Sequence, residues 1–154
     1  KRVDEGAAMS SVPWKEQLAI LENCDPKWLA EALFFRQESD PILNRLCKLK
    51  IGIEKAKTGD VEALRSGLEA ALDFPTLHRS AFLDDEYDMI LNHSTQDLAL
   101  LQELPNYDEC IRPLLESFIS RAAFLSTEFE EGFGWMQALE ELCTLLKLPV
   151  PDMP

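Results

Sequence analysis

Apolar positions recur along the chain at helical spacing, separated by helix-start and helix-stop residues. Pro13 follows Ser10 and Ser11, and Trp14, Leu18 and Leu21 then fall at i, i+4 and i+7, which predicts a first helix with one apolar stripe. Asp25-Pro26 repeats the device, with Asp25 as N-cap and Pro26 at the first helical position. Trp28, Leu29, Ala32, Leu33 and Phe35 fill this second helix, which should end near Gln37 to Ser39. Asp40-Pro41 opens a third, with Ile42, Leu46, Leu49 and Ile53 on one face and Gly59 as its stop. Gly52 inside it costs about 1 kcal/mol against alanine, which implies close packing or a bend. Asp60 caps a fourth helix striped by Val61, Leu64, Leu68, Ala71 and Leu72 and ending before Phe74-Pro75.

Residues 75–104 predict two short helices, 84–91 and 95–104, each too short to stand without packing. Asn106 or Asp108 is placed to cap a longer helix through Ile111, Leu115, Phe118, Ala122 and Leu125, with Pro113 marking its true start or a kink. A last helix carries Trp135, Leu139, Leu142 and Leu146, and Pro149-Val150-Pro151 cannot continue it. There is no Asn-Gly or Asp-Gly hairpin signal and no sustained period-two alternation. The fold class is therefore all-α: a compact multi-helix bundle or stacked α-hairpins of about seven or eight helices. Residues 1–9 read as a disordered segment or an expression scar with Met9 as the native start, 10–148 as one helical domain, and 149–154 as a tail.

The stretch Gly59-Asp60-Val61-Glu62-Ala63-Leu64-Arg65, with Leu68-Glu69-Ala70 after it, resembles the second-helix region of an ankyrin repeat, and Leu77-His78 resembles part of that family's turn. The resemblance covers about twenty residues. No 33-residue period recurs, and a repeat stack needs at least about three copies to bury its faces, so no function is carried over.

Composition narrows the functional classes. In 154 residues, 46% are hydrophobic and 28% charged, which suits a globular domain able to fold without disulfides or metal. The 28 Asp and Glu against 15 Lys and Arg give a net charge of −13, which disfavours nucleic-acid phosphate and anionic membranes. Charged residues interrupt every apolar run well short of the ~20 residues a membrane-spanning helix needs. The cysteines Cys24, Cys47, Cys110 and Cys143 sit in or beside apolar helical patterns and read as free core thiols, so an intracellular, reducing compartment, the cytoplasm, is expected. Two histidines and no Cys-x-x-Cys leave zinc little to bind.

The charge is unevenly placed. Residues 1–79 hold 12 bases and 13 acids, whereas residues 80–154 hold 3 bases and 15 acids. Arg45, Lys48, Lys50, Lys55 and Lys57 form a basic stretch on the third helix, which is expected to pair in part with acidic helices. Exposed pairs contribute only ~0–1 kcal/mol, so a solvated acidic face remains.

Candidate chemistry is sparse. Asp84-Asp85-Glu86-Tyr87-Asp88 puts Asp84 and Asp88 at i and i+4, a spacing that lets two carboxylates share a Mg²⁺ with water, but also one that suits acids in a helix's first turn. An EF-hand reading fails for want of its Gly and its twelfth-position Glu. His78 and His93 lack partners at metal-ligand or general-base spacing. Gly132-Phe133-Gly134 lacks the Lys of a phosphate loop and follows acids, and no Gly-x-Ser-x-Gly elbow occurs. Glu128-Phe129-Glu130-Glu131 with Phe133 and Trp135 reads either as core aromatics or as a protein-binding rim. Trp14, Trp28, Phe34 and Phe35 read as core, except that the adjacent Phe34 and Phe35 cannot both face one interior.

These features predict a non-catalytic acidic protein-binding module, an adaptor, regulator or inhibitor, that engages another protein with a basic surface through its C-terminal half. Tyr87, Tyr107, Phe129, Phe133 and Trp135 are the candidate anchors, and Asp84, Asp85, Asp88, Glu130 and Glu131 the candidate steering charges. No cofactor, metal, direct nucleic-acid contact or membrane is expected, and a homo-oligomer remains open. An alternative is a helical scaffold or oligomerisation piece with apolar contacts, using the basic helix around Lys48 and the exposed member of Phe34 and Phe35. A second alternative is a divalent-metal enzyme built on Asp84 and Asp88.

Overall fold

Three aspartates start three helices where the sequence places them. Asp25 accepts a hydrogen bond from the Trp28 amide (3.3 Å), Asp40 from Leu43 (3.1 Å) and Asp60 from Ala63 (3.0 Å), each satisfying an otherwise orphaned first-turn donor. The computed structural model describes residues 12–73, 84–128 and 133–151. They are all-α, with no strand among the described residues. The helices are α1 (Trp14–Glu22), α2 (Pro26–Gln37), α3 (Pro41–Ala56), α4 (Val61–Ala71), α5 (Asp84–Asn92), α6 (Thr95–Leu100), α7 (Arg112–Leu125) and α8 (Phe133–Leu146). The chain divides into two units, Lys1–Glu38 and Ser39–Pro154. The predicted N-terminal segment 1–9 and the Leu77-His78 pair lie outside the described residues.

The second unit holds the core. The predicted stripes face inward: Ile42, Leu49 and Ile53 on α3, Leu64, Leu68 and Ala71 on α4, Leu115, Phe118 and Ala122 on α7, and Trp135, Leu139, Leu142 and Leu146 on α8 are buried. Leu46, Val61 and Leu125 pack against this cluster while partly exposed.

Helix α3 and helix α4 form a hairpin whose turn ends in Gly59 at φ 104°, a conformation only glycine adopts without strain. The Gly59 amide donates to Ala56 and the Asp60 amide to Lys55, which closes the helix end in a Schellman arrangement. Gly52 does mark close packing. A Cβ there would sit 2.7 Å from the Ala63 carbonyl oxygen, and one on Gly67 would sit 2.8 Å from the Lys48 carbonyl oxygen, so two glycines let the backbones touch. Arg45 ties the hairpin's open end, donating to the Asp73 carbonyl and to the Pro41 carbonyl (3.0 Å).

Helix α6 runs on into a 3₁₀ turn, Leu101–Glu103, so the element expected over 95–104 is a helix that tightens at its end. Gln102 Nε2 donates to the Leu145 carbonyl (2.9 Å) and fixes that turn to the end of α8. Ahead of α7, Tyr107–Ile111 form a π turn. Pro113 has no N–H for the carbonyl of Glu109, four residues back, and the regular helix begins there, so Pro113 marks its start. Tyr107 and Ile111 point inward, and the residues between them point out. That corrects the expectation that all four cysteines are core thiols: Cys110 is exposed, Cys24 and Cys47 are half-buried, and only Cys143 is buried. Burial pushes the Cys47 and Cys143 thiols up from their ordinary values.

Part of the charge asymmetry is spent inside the second unit. Lys50 lies 2.7 Å from Asp97 on α6 and 3.1 Å from Glu54. The Asp97 hydrogen bond is the main reason its ammonium is held above the usual lysine value.

Candidate interaction surface

The first unit contrasts with the core. Neither α1 nor α2 contains a buried residue. Trp14, Leu18, Ile20, Leu21, Trp28, Leu33, Phe34 and Phe35 are 44–70% exposed. Sequence periodicity read Trp14 and Trp28 as core; the structure corrects this. Periodicity reports that a face is apolar and cannot say what covers it. Both Phe34 and Phe35 are exposed, rather than one of them.

Local chemistry gives these helices their ends. The Gln17 amide bonds the Pro13 carbonyl (3.0 Å) and its side chain the Val12 carbonyl (2.6 Å). Asn23 Nδ2 donates to the Ala19 carbonyl (2.9 Å) at the end of α1, and Asp25-Pro26 restarts the chain as α2. At about 100° per residue, Trp14, Leu18 and Leu21 make one narrow stripe on α1, with Ile20 off it. On α2, Trp28, Ala32 and Phe35 share one side, Leu29 and Leu33 extend it, and Phe34 lies away from both. An amphipathic helix covered along one seam does not have that distribution. It is that of a helix meant to be surrounded. The aromatic rings are arranged locally: Phe34 and Phe35 meet edge to face with centroids 5.7 Å apart, and the Lys15 ammonium lies 5.6 Å from the Trp14 ring centroid.

The residues expected to form an acidic, aromatic site in the C-terminal half are placed differently. Tyr87, Tyr107 and Trp135 are buried, and Trp135 is wholly so. Its indole Nε1 donates to the Ala122 carbonyl (2.7 Å), a link between α8 and α7. As anchors for a partner these three rings are therefore corrected to packing residues, because the core cluster covers them. Asp88 is buried as well. The space a side chain on Gly134 would need is filled by the Asp88 carboxyl group, with Cγ 3.1 Å from where a Cβ would stand. That sets a carboxylate beside the first turn of α8, where a helix terminus favours negative charge, and removes Asp88 from a surface pair with Asp84. Asp84 and Asp85 open α5, but their side chains, like that of Phe133 at the start of α8, lie outside what is described, as do Phe129, Glu130 and Glu131 altogether. Among the described residues no three His, Cys, Asp or Glu side chains come together as a metal-binding group.

A cleft of about 310 Å³ is lined by Tyr107, Asp108, Arg112 and Lys147 with their neighbours. Burial raises the Tyr107 hydroxyl above its ordinary value, and Arg112 is engaged by Glu116 (3.3 Å) and Asp108 (3.9 Å). The cleft thus offers a satisfied guanidinium and a withdrawn phenol, not a nucleophile and base within reach of each other. No described helix is long and apolar enough to cross a membrane. No family model, curated protein or solved structure matches this chain.

Proposed function

We propose that this chain is a non-catalytic protein-interaction module whose docking element is the α1–α2 pair, making apolar contacts. One observation carries the reading: eight large hydrophobic side chains stand exposed on two helices that bury nothing. Isolated helices shorter than about 12–15 residues are marginal in water, and most helical stability in proteins comes from burying an apolar face. Helices of 9 and 12 residues with no buried position need cover from outside their own unit. An exposed apolar set of this kind marks an interaction site.

The acidic C-terminal half supports a secondary role in the same module. Glu103, Asp108, Glu109, Glu140 and Glu141 are exposed, so the second unit presents a solvated acidic surface. Such a surface repels acidic partners and speeds encounter with basic ones, while the apolar helices supply affinity.

The test is a photo-reactive phenylalanine analogue at position 35 in the full chain, illuminated in the cell of origin, with the same analogue at position 141 as control. The expected result is one discrete protein adduct from position 35 and none from position 141. Adducts from position 141 alone, or no protein adduct at all, would remove α1–α2 as the docking element.

A further inference from the structure

We infer that the occupant of the α1–α2 surface is a second copy of this chain, its own α1–α2 pair completing a four-helix interface; this rests on the reading of α1–α2 as a docking element. Three observations lead to it. The exposed side chains, at the fractions they show, amount to roughly 900 Å² of surface, against about 800 Å² per partner in a standard stable interface. One molecule therefore presents a whole side of a dimer interface.

The second observation is charge. In a two-fold dimer every residue near the axis meets its own copy, so like charges are set against like. Residues 12–38 hold 3 bases and 5 acids, net −2, whereas residues 80–154 hold 3 bases and 15 acids, net −12. Self-association is opposed far less across the first unit than across residues 80–154. The same near-neutrality, slightly acidic, disfavours an anionic membrane, because helices lying on such a surface carry an excess of Lys and Arg on their polar face.

The third is the distribution of apolar residues on α2. Phe34 lies away from the side shared by Trp28 and Phe35, and a single flat partner covers one side only. In a bundle of two helix pairs each helix has neighbours on more than one side, which gives both Phe34 and Phe35 an apolar environment.

Sedimentation velocity of the purified full chain over a range of concentrations, at about 0.15 M and 1 M NaCl, tests this. The expected result is a reversible dimer at both salts, no weaker at 1 M because screening relaxes the repulsion between acidic halves. Phe35→Glu, and independently Trp28→Glu, should weaken dimerisation at least about 30-fold, the scale of an interface hot spot. Glu141→Lys should leave the dimer intact or strengthen it. Unchanged far-UV circular dichroism of the second unit's thermal transition in the variants shows that the fold persists. A wild-type chain that stays monomeric up to about 100 μM, a concentration at which even a weak specific dimer is populated, overturns the inference. So does a dimer that neither substitution at Trp28 nor Phe35 disturbs. If the chain is monomeric yet the position-35 photoadduct to a different protein forms, the docking element stands and self-pairing falls.

Discussion

Trp135→Ala is expected to destabilise the unit Ser39–Pro154 by about 3–5 kcal/mol, a large share of the ~5–15 kcal/mol that holds a domain folded. The indole is fully buried, the largest side chain in that state, and it bridges α8 to α7 through the hydrogen bond to Ala122. Truncation leaves a cavity in the core beside Ala122 and a buried carbonyl that has lost a donor. Trp135→Phe keeps most of the ring and loses mainly the N–H, so it should cost about 1–2 kcal/mol. Trp14→Ala and Trp28→Ala remove exposed rings and should stay within about 0.5 kcal/mol of the wild type in a monomeric chain. Urea unfolding followed by far-UV circular dichroism separates these cases. Equal costs at Trp14, Trp28 and Trp135 would contradict the division between a buried indole and two exposed ones.

Gly52→Ala and Gly67→Ala are expected to destabilise by about 1–3 kcal/mol each, although glycine-to-alanine inside an ordinary helix stabilises by about 1 kcal/mol. The sign reverses because both added methyls would press on backbone, not on a side chain that can rotate. At Gly52 the new Cβ meets the Ala63 carbonyl and, at 3.2 Å, Leu64 Cα; at Gly67 it meets the Lys48 carbonyl and, at 3.2 Å, Leu49 Cα. Helices α3 and α4 can only move apart, which loosens Leu49, Ile53 and Leu64 together. The two glycines serve one crossing, so the double variant should cost less than the sum, since separating the helices once relieves both clashes. Chemical denaturation of the single and double variants measures this, and a stabilising Gly52→Ala would refute the backbone contact.

Much of this fold was legible in the sequence because its signals are local. Asp25-Pro26, Asp40-Pro41 and Asp60 cap helices through hydrogen bonds spanning three residues, so neighbouring residues alone decide them. The apolar stripes of α3, α4, α7 and α8 point to the core because each recurs over several turns. Gly52 was also readable as an anomaly, although only the structure names Gly67 as its counterpart, since the crossing is a contact between helices.

What sequence reasoning missed depends on contacts distant along the chain. Trp135 reads either as core or as rim, while Tyr87 and Tyr107 read as candidate anchors, and the choice is made by what packs above them. The same ambiguity ran the other way at Trp14, Leu18, Leu21 and Trp28, whose spacing promised burial that the unit does not provide. One signal was available: α2 carries apolar residues around most of its circumference, and the adjacent Phe34 and Phe35 already required more than one covering surface. The inward turn of Asp88 had no local sign, because its reason is the missing side chain of Gly134 on another helix.

On this proposal α1–α2 takes its stability from a partner and not from contacts within its own unit. Amide hydrogen exchange measures this directly, comparing the wild type under associating conditions with the Phe35→Glu chain held monomeric. In the monomer, amides of residues 14–37 should exchange within about tenfold of unstructured rates, because local opening costs little where nothing is buried, while core amides at Leu115, Leu139 and Leu142 remain protected by orders of magnitude. On association the 14–37 amides should slow at least about tenfold, the scale of a few buried side chains. Protection of residues 14–37 equal to that of the core in the monomeric chain would contradict the account, since the helices would then need no partner to stand.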